Sequence, residues 1–453
     1  MKKILLFAAA VAFCACANHD GRFNSLEQWK IGDNNVTASS FDISSGQKAL
    51  YTGKVKGGTF TNFNFAARVT HSEGALARLW IHSNNELSTG YSILIGNPAA
   101  DRRRTGSLES VRNLYKASSQ AGRTFDLEVM VEGKRIVVLI DGMRVVDYLE
   151  PAQPYRLPGK ATQFLSSGKI GFSVESGAIN IAEARLMPLS GSLPAYPEGM
   201  APNDELNDHV IRLQQAGFPF IDYHVHLKGL DKDEALENSL RVGIEYGIAP
   251  NCGIGFPITN DREVEEYLAE NRHMPFFYGM QGEGREWPDT FSKATREMFD
   301  YVFTDAMTFL DHKGRRTRLW IDEEVIIDIP AEQYMDIIVD RAVKVLNEEP
   351  IDIYVNPTFL PSEMESEYDR FWTDARIDKI IKALKDNGIA LEINARYRIP
   401  SAKIISAARD AGVKLTLGTN NAGVDDIGKL EYCAEIIEQC GLSPADMWFP
   451  AGQ

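Results

Sequence analysis

Basic residues are in short supply. The chain has 48 Lys and Arg against 63 Asp and Glu, a formal net charge of −15. That balance argues against nucleic acid as a partner, because holding a phosphate backbone takes a basic face. Long apolar runs are scarce too. The first twenty residues, "MKKILLFAAAVAFCACANHD", hold the longest one, and it is too short to span a bilayer. With its basic start and small residues ending at cysteine, this stretch reads as a signal peptide that takes no part in the fold. Cysteine is rare, at 5 in 453 residues. Beyond the leader only Cys252, Cys433 and Cys440 remain, and three thiols make no disulfide framework.

A chain of 453 residues exceeds what one core usually holds, so several domains are expected. Residues 21–190 read as β. "NFNFAARV" puts Phe63, Phe65, Ala67 and Val69 on one side, the period of a half-buried strand. "RIVVLIDGMRVVDYL" is two apolar runs around Asp141-Gly142, a hairpin signal because glycine accepts the positive φ of a tight turn. Short strands without helices between them imply a sandwich. Residues 191–217, rich in proline, glycine and small polar residues, read as a linker.

From 218 to 453 the text alternates strand and helix. Helices are expected over 233–247 (Leu236, Leu240 and Ile244 on one face), 334–347, 376–387 and 401–411, the last two stopped by Gly388 and Gly412. "FIDYHVHL", "PFFYGMQGE", "DIYVNP", "IALEINA" and "VKLTLGT" are the strands between them. The expectation is a parallel β/α barrel. Strands of such a sheet are apolar on both faces, so polar residues at their C-terminal ends stand out. Here those are Asp222, His224 and His226; Gln281, Glu283 and Arg285; Asn356; Glu392, Asn394 and Arg396; and Asn420 and Asn421. Strict alternation would place Asp222, His224 and His226 on one face, with Asp222 free to orient an imidazole. His224, His226 and Glu283 form a His₂Glu set that suits one zinc, manganese or iron ion. Such polars also occur as a hydrogen-bonded plug, which is the plainer reading of any one of them.

Three resemblances bear on function. The leader resembles a bacterial lipoprotein signal, which implies lipidation at Cys16 and an exported protein of the periplasm or outer membrane, touching the membrane only through that anchor. "FIDYHVHLKGLDKDEAL", "FYGMQGEG" and "GIALEINARYRIPSAKIISAARDAGVKLTLGTNNAG" resemble the polymerase-and-histidinol-phosphatase (PHP) family over about 218–440. This implies a distorted β/α barrel binding up to three metals and hydrolysing phosphate esters. The departures reduce that expectation. Asn251 and Cys252 stand for an acid and an imidazole, Asn420 for an aspartate, Ala422 and Asn356 for histidines, and Met307 or Thr308 for another. One carboxylate with two neutral imidazoles, and Cys252 as a possible fourth donor, offsets one divalent ion but not a cluster.

Residues 55–187 resemble the 3-keto-disaccharide hydrolase-type sandwich, akin to concanavalin-like and laminin-G folds, through Gly90-Tyr91, the Asp141-Gly142 hairpin and Gly168–Gly171. The family's acidic residue after Gly-Tyr is Ser92 here, so the resemblance implies carbohydrate contact more directly than catalysis. Trp29, Trp80, His82, Tyr91 and Tyr115 are its stacking candidates.

Three functional readings follow. In the first, a cell-envelope hydrolase or lyase acts on a carbohydrate derivative through one divalent metal ion. Glu392 and Arg285 are its catalytic candidates, and Asn356, Asn394, Arg396, Asn420 and Asn421 bind substrate. In the second, the barrel is a non-catalytic glycan-binding pocket. In the third, a 3-keto-glycoside hydrolase works in the sandwich.

Overall fold

The structure, a computed structural model, describes residues 28–36, 39–98, 101–189 and 208–450. The leader and Cys16 lie outside the described residues, as does most of the expected linker. The chain forms an all-β sandwich followed by a closed α/β barrel.

Two six-stranded antiparallel sheets make the sandwich. Phe63–His71 lies in the middle of one of them, and its inward Phe63, Phe65, Ala67 and Val69 are all buried, as their two-residue spacing requires. Asp141 and Gly142 both take positive φ, 50° and 79°, so the strands Arg135–Ile140 and Met143–Leu149 turn back directly on each other. Trp29, Phe41, Phe65 and Phe172 pack between the sheets with ring centroids 5.4–6.2 Å apart.

Seven parallel strands close the barrel: β1 (Ile221–Val225), β2 (Glu245–Ile248), β3 (Phe277–Gly282), β4 (Tyr301–Thr304), β5 (Ile353–Tyr354), β6 (Ala390–Asn394) and β7 (Leu415–Gly418). Their order is β2-β1-β7-β6-β5-β4-β3, and pairing of Gly247 with Phe277 joins β3 back to β2. The sequence patterns identified five of these strands. β2 and β4 were not anticipated.

Expected helices are present at Lys232–Val242, Ala331–Glu348, Asp374–Asn387 and Ala402–Ala411. Gly388 and Gly412 cap theirs in the left-handed conformation, which costs a residue without Cβ nothing. The first helix is shorter than its apolar spacing suggests. Asp231 and Glu234 form a capping box at its start, and Gly243 at φ 72° ends it before Ile244. Ile244 is buried in the turn into β2 instead.

Aromatic side chains fill the barrel. Tyr223, Phe277, Tyr301 and Phe303 pack inside it, and the Tyr301 hydroxyl donates to Tyr223 O at 2.6 Å. Gly247 and Gly279 are glycine because a methyl at either position would overlap the Tyr301 ring. The sandwich closes the base. Tyr115 joins this aromatic cluster with Trp448 and Phe449, Lys116 Nζ pairs with Asp300 at 2.6 Å, and Arg102 donates to Met447 O. Residues 208–216, expected within the linker, carry the helix His209–Gln215, capped by Asp208 and packed on Glu431–Gln439.

Candidate functional site

β1 does not alternate strictly. Its pairing with β2 shifts register between Asp222 and Val225, and that bulge re-aims the side chains. Asp222 turns to the β7 loop, accepting from Thr419 N (2.9 Å), Thr419 Oγ1 (2.6 Å) and Gly428 N (3.2 Å). It therefore orients a loop and not an imidazole, contrary to its expected role. His224 turns into the barrel, its ring 4.7 Å from that of Phe303, and Nδ1 lies 2.7 Å from Glu392 Oε1.

Glu392 itself is buried, and Oε2 accepts from Asn356 N (2.7 Å) and Asn394 Nδ2 (3.0 Å). With both oxygens occupied, Glu392 serves as the acceptor that orients His224 rather than as the general acid or base expected of it. Gly418 on β7 makes the pair possible. A methyl there would overlap Glu392 Oε1 and come within 2.8 Å of His224 Cβ. His224 Nε2 is buried with no hydrogen-bond partner.

His226 follows the strand end. Nδ1 bonds Ala249 O at 2.9 Å, and its main chain is clamped by Asn421, which accepts from His226 N (2.7 Å) and donates to His226 O (2.8 Å). Burial, with the neighbouring His224, Lys228 and Arg396 charges, pushes this imidazole down to about 3, so it is neutral in ordinary buffers. The two rings are 5.2 Å apart.

Amides line the next strand ends. Asn356 Oδ1 accepts from Asn394 Nδ2 (3.0 Å) and Asn420 Nδ2 (2.8 Å), while Asn356 Nδ2 donates to Asp305 Oδ2 (3.2 Å). Asp305 follows β4 and was not anticipated. Its signal was the run "YVFTD", an apolar strand ending in a polar residue like the others. Glu283 accepts from Asn251 Nδ2 (2.5 Å) and Gln281 Nε2 (3.0 Å). Burial and the charge of Asp305 push its carboxyl up to about 7, outweighing Asn251, Arg285 and His224.

Arg285 stands beside this group but is already engaged, with Glu349 at 2.9 Å and Thr304 Oγ1 at 3.0 Å, so it is a brace for the loop. Arg396 is exposed at the rim and donates to Asn420 O at 3.2 Å. Cys252 faces away from the imidazoles, in the apolar layer under the helices. Its thiol donates to Pro250 O, and burial raises its pKa, so it is a protonated packing group and not a ligand. Lys228, Asn356, Thr358, Arg398 and Asn420 all have φ between 39° and 63°. Five such backbones in the strand-end loops mark the mouth as the strained part of the barrel.

The donor set was tested against a metal ion. Both Nδ1 atoms are committed, which leaves Nε2 as the open nitrogen of each ring, and His224 Nε2 is an orphaned buried atom of the kind a cation would satisfy. Glu283 accepts both of its amide bonds on one oxygen, Oε1. Among the described residues no three His, Cys, Asp or Glu side chains gather as a ligand set. The two imidazoles stand together, and Glu283 of the expected His₂Glu set is not gathered with them.

The sandwich has a second polar cluster. Glu109 is buried and accepts from Arg78 Nε (2.7 Å), Ser92 Oγ (2.6 Å) and Arg103 (3.2 Å); Trp80 Nε1 bonds Ser173 Oγ nearby at 2.8 Å. Of the stacking candidates, Trp29 and Tyr91 are core, His82 is buried, and Tyr115 is under the barrel. Trp80 alone among them keeps a partly open face.

Solved structures similar to this chain match the sandwich at low identity. A provisionally assigned glycosyl hydrolase from Parabacteroides distasonis ATCC 8503 is 9% identical, TM-score 0.31, with 36% of this chain and 89% of that chain covered. The carbohydrate binding module CBM66 from Bacillus subtilis is 14% identical, TM-score 0.22, over 36% and 92%. The VIP36 exoplasmic/lumenal domain in its Ca²⁺/mannose-bound form is 12% identical, TM-score 0.27, over 37% and 86%. No curated protein matches the chain. Residues 18–186, essentially the sandwich, match the family model of the 3-keto-alpha-glucoside-1,2-lyase-like domain.

Proposed function

We propose that the protein is a cell-envelope enzyme that hydrolyses or eliminates a bond in a carbohydrate derivative at the barrel mouth, with His224 and Glu283 exchanging protons with the substrate. One observation carries this reading: His224 is locked through Nδ1 by a buried carboxylate while its Nε2 is left buried and unpartnered. A polar atom held in that state costs roughly 1–3 kcal/mol unless a ligand completes it. The family match of the sandwich supports a carbohydrate as the substrate, and the leader supports the envelope.

In this reading His224 Nε2 takes the proton from an attacking water, or from the carbon next to a ketone in an elimination. Glu283, with its pKa raised to about 7, gives a proton to the leaving oxygen. Asn356 and Asn420 present amides to sugar hydroxyls, buried Asn394 braces Asn356 and Glu392 with both of its amide hydrogens, and Glu392 and Asn421 keep the two imidazoles in place. The same site has a metal-assisted version, with one zinc, manganese or iron ion on the two Nε2 atoms and the remaining positions left to water, Glu283 or substrate. Such an ion would supply Lewis acidity. The polar mouth is equally the place where a non-catalytic pocket would bind a glycan.

A second reading puts the reaction in the sandwich, at Glu109, Arg78 and Trp80, and the family match there favours it. Turnover of aryl glycosides and 3-keto-glycosides by the full chain separates the two. Loss in His224→Ala and Glu283→Gln, with Trp80→Ala close to wild type, supports the barrel. The opposite pattern assigns catalysis to the sandwich, and binding without turnover leaves the glycan-binding reading. Metal analysis of wild type against the His224→Ala/His226→Ala double variant decides the ion: stoichiometric metal lost in the variant supports the metal-assisted version.

A further inference from the structure

Two cations meet at the rim on the His226 side. Lys228 Nζ donates to Asn421 O at 2.5 Å, and Arg396 donates to Asn420 O at 3.2 Å. Consecutive carbonyls thus anchor both heads and hold two like charges side by side. Among the described residues neither head forms an ion pair, whereas Arg398, two residues on, pairs with Glu435, and Arg285 pairs with Glu349. The nearby acid is Asp426, whose oxygens already accept from Ala422 N (2.7 Å) and Gly423 N (2.9 Å). Lys228 also carries a positive φ of 39°. Such an arrangement is repulsive in the free protein and becomes favourable when an anion lies between the heads.

We infer that the carbohydrate derivative bound at the mouth carries a carboxylate, as a sugar acid does, and that Lys228 and Arg396 hold it. The inference rests on the reading that the mouth is the substrate site. Charge selects the anion. Two cations less Asp426 leave one positive charge in excess, which a monoanion matches. A dianionic phosphate would overfill it. Arg396 adds the planar fork that a carboxylate accepts in bidentate fashion. The His226 ring beside it, held through Nδ1 on Ala249 O, turns Nε2 to a neighbouring hydroxyl. Of this subsite the sequence pointed to Arg396 as a substrate-binding residue, and Lys228 was not anticipated.

Calorimetric titration of the full chain with glucuronate, glucose and glucose 6-phosphate tests the inference. Glucuronate is expected to bind at least about tenfold more tightly than glucose, with the advantage shrinking as salt rises. The advantage is expected to vanish in Lys228→Gln/Arg396→Gln, whose exposed positions leave the fold intact; a circular dichroism melt of the variant checks this. Equal binding of glucuronate and glucose, abolished by His224→Ala, overturns the carboxylate subsite and leaves the mouth as the sugar site. Tightest binding by glucose 6-phosphate overturns it in favour of phosphate. Binding of all three that persists in His224→Ala, or no binding of any, overturns both the subsite and the mouth as substrate site.

Discussion

His224 and Glu392, 168 residues apart in sequence, meet at 2.7 Å between Nδ1 and Oε1 where neither has access to solvent. Removing the charge while keeping the shape separates positioning from packing. Glu392→Gln is expected to lower kcat by about 10–100-fold while KM moves little, since the amide cannot hold the same imidazole tautomer. Nitrogen-15 spectra of the histidine rings read the tautomer directly. An unchanged His224 signal alongside lost activity would assign Glu392 a role in the chemistry itself.

The pair also needs empty space on β7. Gly418→Ala puts a methyl against both partners, and neither can retreat, Glu392 being held by Asn356 and Asn394. The cost expected for overpacking of this kind is about 1–3 kcal/mol, measurable as a lower urea midpoint at unchanged slope. Wild-type stability in that variant would mean that the strand end relaxes freely and that the mouth is softer than described.

Sequence reading went furthest where one residue decides one thing. Gly388 and Gly412 ended their helices as expected, and the Asp141-Gly142 hairpin and the Phe63–Val69 alternation needed no tertiary information. It failed where the backbone departs from its period. The bulge in β1 separated Asp222 from the imidazoles, and no pattern in "FIDYHVHL" announces it. Roles within the mouth were likewise hidden. Glu392 looked like an acid or base until three donors were seen on it, and Arg285 looked free until Glu349 was found beside it. Both partners come from distant parts of the chain. Cys252 followed from neither periodicity nor composition, because which way the two-residue strand Asn251–Cys252, paired on the end of β3, faces is set by its neighbours.

The thiols give a simple check on that last placement. Cys252, Cys433 and Cys440 are all buried and unpaired, and burial raises the pKa of the first two. Native protein is expected to react with Ellman's reagent slowly at all three, at the rate of unfolding, and fully in denaturant. Fast labelling of Cys252 would place it at the mouth, where it was first expected.

The junction between the domains predicts a pH dependence whose sign can be worked out. Glu245, at the start of β2, accepts from Tyr115 N (2.6 Å) and Lys116 N (3.1 Å) of the sandwich. Burial pushes its carboxyl from 4.5 up to about 7 despite those bonds and the charges of Lys116 and Arg104. A raised carboxyl binds its proton more tightly when folded. Its contribution to stability is therefore complete below about pH 4.5 and is lost as pH rises through about 7. Glu283 acts in the same direction over the same interval. His226 opposes them: lowered from 6.5 to about 3, it favours the fold above 6.5 and loses that advantage as pH falls. Between pH 4.5 and 6.5 the histidine offsets one of the two carboxyls, so wild-type stability alone is a poor readout. The difference between Glu245→Gln and wild type isolates the junction. The variant is expected to gain on wild type from pH 4.5 to about 7, with a slope approaching about 1.4 kcal/mol per pH unit, and to hold a constant offset above that. Urea unfolding at half-unit steps measures it. A difference independent of pH across the window would mean that Glu245 keeps an ordinary carboxylate pKa and that the contact with the Tyr115–Lys116 main chain opens in solution.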